Sequence, residues 1–388
     1  MRLNDRVVAT TDSPISTAYD LLDLLPDGGG LLDLAQAAPR YPAAPEVVAH
    51  VARVARDALG GTYTDVPGLP KLREAFAAEL SRDYAGTLGP ANVVVTAGCN
   101  QAFALAVSAV AGPGDEVIVG LPYYFDHDMW LRANGIVPVY LEPGPGLVPR
   151  AEDAAALVTA RTRAITLVTP GNPTGVTVDP AGIAAFAEVA RRHDVALLLD
   201  ETYRSFRDTT GPAHDLFADP AWQGTVVSLH SFSKSLAIPG YRVGALVASP
   251  EFNRQVCKLL DCVAVCAPRI GQEAAWAGLT RADAWRTARA GELAQQRRWL
   301  AEAMADRPGG FELLSVGGFF AWLRHPFARP TEDVVRDLVV EQRLLLLPGT
   351  AFEPADRGTL RVSVSNADRA AIAALAERLG RAGGRSTQ

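Results

Sequence analysis

Short apolar runs alternate with helical patterns along most of this chain. Positions 92–96, 116–120, 137–141, 164–168, 195–199 and 225–229 are brief stretches rich in Val, Ile and Leu. Continuous apolar runs of this length predict strands buried on both faces. The run 121–125 extends the series directly after 116–120. Between the runs lie helical patterns. In 44–59 apolar side chains recur at Val47, Val48, Val51, Val54, Ala55 and Ala58, and Gly60 and Gly61 stop the helix. Further helices are predicted at 70–84, at 180–193, and from the glycine turn at 98 to about 110. Buried strands separated by helices predict an α/β fold, with a mainly parallel sheet between helical layers.

Beyond this, an Ala/Arg/Glu-rich pattern over 272–305 predicts a long helical spine. Strands near 319–323, 344–347 and 359–364, with helices at 331–341 and 367–379, predict a smaller α+β domain. The expected division is an arm at 1–45, a large domain at 46–290 and a small domain at 291–388, with disorder confined to 382–388. No internal repeat is present.

Composition narrows the function classes. The 388 residues are 48% hydrophobic with a net charge of −6, and Lys and Arg are dispersed, which argues against a nucleic-acid surface. The lack of a run of 18 apolar residues, and of a signal-peptide plan at the N-terminus, predicts a cytoplasmic protein with no membrane span. Cys99, Cys257, Cys262 and Cys266 form no Cys-x-x-Cys pair and no zinc spacing, so no metal is expected. Cys262 and Cys266 read as small apolar residues on one helix face.

Chemistry concentrates in four punctuated loops at strand ends. Gly98-Cys99-Asn100-Gln101 opens a helix after a strand, a natural phosphate seat though a common turn. Pro170-Gly171-Asn172-Pro173-Thr174-Gly175 follows one strand, and Asp200-Glu201-Thr202-Tyr203 ends another. In Ser231-Phe232-Ser233-Lys234-Ser235, a hydroxyl-flanked lysine precedes Arg242 by eight positions. An anion seat, an acid at a buried strand end, a nearby phenol and such a lysine match the needs of pyridoxal 5'-phosphate (PLP): a phosphate, a pyridine nitrogen, a ring hydroxyl and an aldehyde.

Over about 30–366 these motifs, in this order, make the chain resemble the class I/II aminotransferases, fold-type I PLP enzymes. The resemblance implies a small domain built from both chain ends. It implies that Lys234 forms the aldimine with the cofactor and moves the α-proton, and that Asp200 holds the pyridinium. Tyr203 and Asn172 would serve the ring hydroxyl. Gly98, Cys99, Asn100, Ser231, Ser233 and Arg242 would hold the phosphate, and Tyr124 or its neighbour Tyr123 would stack on the ring. Tyr63 would reach the partner's phosphate in a homodimer with shared sites. Arg361, in Leu360-Arg361-Val362-Ser363-Val364, would clamp the α-carboxylate, with Asn172 beside the substrate. Ala37 stands in an N-terminal loop where the family often has glycine.

His127 lies near the stacking loop and reads as a loop histidine or as a contact to cofactor or substrate, and His230 reads as structural. The implied activity is amino transfer between an L-amino acid and a 2-oxo acid. Lyase, cyclase or replacement chemistry from the same site is the alternative. A DNA-binding regulator finds no helix-turn-helix pattern in residues 1–45 to support it.

Overall fold

The computed structural model describes residues 1–25, 29–58 and 60–384. Thirteen strands are present among them: β1 (Leu32–Asp33), β2 (Val93–Thr96), β3 (Glu116–Gly120), β4 (Val137–Leu141), β5 (Thr162–Val168), β6 (Ala196–Asp200), β7 (Val226–Ser231), β8 (Gly244–Val247), β9 (Glu312–Gly317), β10 (Phe320–Arg324), β11 (Leu344–Leu345), β12 (Leu347–Pro348) and β13 (Thr359–Ser363).

Seven of them form a sheet in the order β2-β8-β7-β6-β5-β3-β4. Neighbours from β7 through β4 pair in parallel, whereas β8 lies antiparallel to both β2 and β7. Successive residues of one strand feed opposite layers, because side chains alternate across a pleat. On β6, Leu198 packs with Ala102, Phe103 and Val107 of the helix Cys99–Val110. Leu197 and Leu199 pack on the other face with Ile183, Phe186 and Val189 of the helix Pro180–Arg192. The same face continues across Val93, Val95, Ala245 and Val247 onto the helices Pro45–Arg56, Pro70–Asp83 and Arg269–Arg281. Burial on both faces is why these strands are mostly apolar, although Glu116, Thr166, Ser228 and His230 are buried among them, and the predicted α/β class holds.

A second, antiparallel sheet runs β12-β13-β10-β9 and packs with the helices Asp283–Met304, Thr331–Gln342 and Arg369–Gly384. The arm forms a separate two-stranded sheet, in which β1 pairs in parallel with β11.

Several predicted elements differ. The run 121–125 is not a strand; it leads into Tyr124, which caps a helix, Phe125–Ala133, that shares only its first residue with the run. The spine is two helices broken at Ala282, where the backbone leaves helical values (φ −118°, ψ 28°). Stretch 344–347 divides between two sheets, since β11 pairs with the arm and β12 with β13. The arm, which lacks periodicity, still contains the helices Asp5–Val8 and Pro14–Asp20. The last helix continues through 382–384, where disorder was expected; residues 385–388, like Leu59 of the first predicted helix, lie outside the described residues. Cys262 and Cys266 do not share a helix face. The helix Pro250–Ala264 ends where Val265 adopts φ 61°, Cys262 is exposed, and Cys266 accepts the Thr64 N–H at 3.4 Å from beyond the helix.

Candidate active site

β6 ends on Asp200 and β7 on Ser231, while β5 ends just before the loop that carries Asn172. These are carboxyl ends of parallel strands, where α/β sheets open a crevice. There a cavity of about 150 Å³ is lined by Cys99, Asn100, Tyr124, Asn172, Asp200, Tyr203, Ser231, Ser233, Lys234 and Arg242. Gly98, Arg361 and Ala37 each touch a lining residue. Tyr63 is not brought in: it stands 76% exposed, and its carbonyl accepts from Arg269 Nη2 at 2.9 Å. Tyr123, the rival of Tyr124, stacks on Tyr140 instead and faces a different cavity.

Lys234 sits on a single helical turn, Phe232–Ser235, capped by Ser231, whose hydroxyl accepts the Ser233 N–H at 3.2 Å. Its Nζ donates to the Ala37 carbonyl at 2.7 Å. Burial, with the positive fields of Arg361 and Arg242, brings its pKa down to about 8. Asp200 is buried. Burial pushes its carboxyl up, but the His127 imidazole and the Thr202 N–H outweigh this and hold it below the usual carboxylate range. Thr202 N–H donates at 2.9 Å, His127 Nε2 lies at 3.4 Å, and the Cys99 thiol approaches at 3.7 Å. Burial beside Asp200 pushes that thiol well up, so it stays protonated. Burial likewise keeps the Tyr203 phenol above its ordinary value.

The anion seat forms where Gly98 precedes the helix Cys99–Val110 at φ 90°, with no side chain capping the first turn. The Arg242 guanidinium lies over this glycine, held by the carbonyls of Pro239 (3.0 Å) and Ala97 (3.3 Å). A Cβ at position 98 would come within 2.6 Å of Arg242 Nη2. Arg242 forms no ion pair with a carboxylate among the described residues. The Asn100 side chain is turned away from the seat and donates to Asp126 at 2.6 Å, leaving its backbone N–H for an anion.

Arg361 rises from β13 into the opposite wall, sandwiched between Phe320 and Phe352 with each ring centroid 4.9 Å away. Nη1 donates to Asn172 Oδ1 at 2.9 Å and Nη2 to the Ala35 carbonyl, while Nε is buried without a partner. Burial lowers its pKa to about 10, leaving it charged at neutral pH.

His127 is the residue that sequence reasoning undervalued. It is 1% exposed, on a helix rather than a loop, and stacked on Phe103. Its position three residues after Tyr124 was the available signal, since that spacing places both on one helical face. His230 belongs to a separate buried network under the floor. Its Nε2 meets Ser228 Oγ at 2.8 Å, and that hydroxyl also donates to Glu201 at 2.6 Å.

Known proteins resemble the chain along most of its length. The sequence profile of the family described as aminotransferase class I and II matches residues 30–379. An aspartate/prephenate aminotransferase of Thermus thermophilus is 30% identical over 397 aligned positions, covering 98% of this chain and 99% of the relative. An arginine–pyruvate transaminase of Pseudomonas aeruginosa is 31% identical over 312, covering 78% and 77%. The solved Thermus thermophilus aspartate aminotransferase with maleate superposes with a TM-score of 0.89 at 26% identity, covering 98% of this chain and all of that one (100%).

Proposed function

The chain belongs to the class I and II aminotransferase family, and on that premise we propose that it is a PLP-dependent aminotransferase moving an amino group from an L-amino acid to a 2-oxo acid. The observation that carries this reading is Lys234, an amine of lowered pKa that shares one small cavity with buried Asp200 and with Arg242, a cation with no carboxylate partner among the described residues. The residues fit the cofactor: an anion seat, an acid held ionised, a protonated phenol and an available amine converge.

When bound, PLP supplies an aldehyde that condenses with amines and a charged ring that takes up the electron pair left at the substrate's α-carbon. Arg242, the N–H groups that follow Gly98, Ser231 and Ser233 would grip the phosphate. Asp200, kept ionised by His127 and Thr202, would hold a proton on the ring nitrogen. Tyr203 and Asn172 would bond the ring hydroxyl, and Tyr124 would cover the ring face. Lys234 Nζ would carry the proton on and off the α-carbon, a task that needs the neutral amine. Arg361, braced by Asn172, would receive the α-carboxylate through its planar fork. The exposure of Tyr63 suits a role against a second copy of the chain, completing the phosphate site in a homodimer.

Spectroscopy tests the proposal. The purified protein should carry a visible band that one amino donor bleaches and a 2-oxo acid restores. A band that survives while ammonia is released would mean elimination instead, and a protein that takes up no PLP would end the reading. The relatives are named for different donors, so the family alone does not choose one.

A further inference from the structure

Cys99 opens the helix Cys99–Val110, and its backbone and side chain meet different neighbours. The backbone belongs to the anion seat after Gly98. It is packed tightly against β8, where a Cβ on Gly244 would come within 2.8 Å of the Cys99 nitrogen. The thiol is buried, lines the cavity that holds Lys234, and lies 3.7 Å from Asp200 Oδ1. An ionised carboxylate only accepts hydrogen bonds, so the direction of this contact is fixed: the S–H donates and Oδ1 accepts. The thiol keeps the proton it needs, because burial first and the Asp200 charge second push its pKa well up.

Asp200 is thereby held at both oxygens. The Cys99 S–H and the Thr202 N–H, 2.9 Å away, meet Oδ1, and His127 Nε2 lies 3.4 Å from Oδ2. The side-chain donors come from the first turns of two helices, Cys99–Val110 and Phe125–Ala133, and the N–H from the chain just past β6. Donors on both oxygens oppose rotation about the last torsion of the side chain, which is broad in a free Asp, and they favour the charged form. The thiol has a single proton to give, and Asp200 already takes it, so a phosphate could gain that donor only at the expense of the acid.

We infer that Cys99 is a positioning residue for Asp200: its thiol keeps the acid ionised and oriented for the ring nitrogen of PLP, while only its backbone serves the phosphate. This rests on the reading of the cavity as a PLP site.

The experiment titrates the apoprotein with three ligands: PLP, 1-deaza-PLP, in which carbon replaces the ring nitrogen, and inorganic phosphate. A donor that acts through Asp200 matters only to the ligand that has the nitrogen. Cys99→Ala should therefore weaken PLP binding roughly two- to tenfold and leave 1-deaza-PLP and phosphate unchanged. Cys99→Ser, which restores a donor, should recover most of the loss. In a chain already carrying Asp200→Asn, adding Cys99→Ala should cost nothing further. PLP affinity untouched by Cys99→Ala, equal weakening of PLP and 1-deaza-PLP, weaker phosphate binding, a serine variant no better than alanine, or an undiminished cost beside Asp200→Asn would overturn the inference and leave the aminotransferase reading standing. A protein that takes up no PLP would overturn both.

Discussion

Nε2 of His127 lies 3.4 Å from Oδ2 of Asp200, and the imidazole is stacked on Phe103 with 3.8 Å between ring centroids. The stack sets the plane in which the ring can donate, so the aromatic contact and the polar contact support each other. Tyr124 adds an edge contact to the same imidazole at 5.1 Å, linking the ring-stacking position to the acid. Replacing His127 with Phe preserves the packing and removes the donor. The expected loss is about fivefold in PLP affinity, near 1 kcal/mol for one hydrogen bond, read by titrating the apoprotein. An unchanged affinity would mean that the Thr202 N–H alone suffices to hold Asp200.

Gly98 is required by both its backbone and its neighbour. At φ 90° an L side chain is strained, and a Cβ would lie 2.6 Å from Arg242 Nη2. Gly98→Ala should therefore cost about 1–3 kcal/mol of stability and displace Arg242. A lower thermal midpoint together with weaker binding of inorganic phosphate to the apoprotein checks it. A drop in the midpoint alone would separate the strain from the anion seat.

Arg361 uses its fork and its flat face at once, bonding Asn172 and Ala35 between two phenylalanine rings. Lysine has neither the fork nor the plane. Arg361→Lys should raise KM for amino donors roughly ten- to a hundredfold while the visible band of the bound cofactor is retained. Loss of the band would instead place Arg361 in cofactor binding.

Lys234 reacts as the neutral amine, and its pKa of about 8 sets where that form appears. PLP uptake by the apoprotein should accelerate as pH rises through about 8 and level off above it, as a stopped-flow pH series would show. The sign for stability follows from the same shift. Below about 8 the amine is charged in both states and the folded chain bears the full cost of burying it; between about 8 and 10.5 only the unfolded chain holds the proton, and the cost fades. The Lys234 contribution thus makes the apoprotein more stable towards high pH, and Lys234→Met should flatten that slope in thermal melts.

The fold was legible wherever burial forced a pattern. Leu197, Leu198 and Leu199 face both helical layers, so no polar residue interrupts them, and the strand shows as a plain apolar run. β8 was not legible: its four residues, Gly-Ala-Leu-Val, lie just past the lysine motif and carry no punctuation of their own. The run 121–125 was misread because Leu121, Tyr123, Tyr124 and Phe125 are apolar or aromatic and suit a strand, whereas only Phe125 belongs to the helix Phe125–Ala133. His127 was undervalued for the same reason, since its helical spacing from Tyr124 counts only once the segment is known to be a helix.

What the sequence by itself determined is local: where strands and helices alternate, where glycine and proline end them, and which reactive side chains stand at strand ends. Tertiary structure alone decided which of those side chains meet. Arg361 and Asn172 are 189 positions apart, and Lys234 and Ala37 are 197 apart. No local backbone preference encodes such contacts. They arise when the two sheets and the arm pack, because burying their apolar faces brings the strand ends, with their polar residues, to a common crevice.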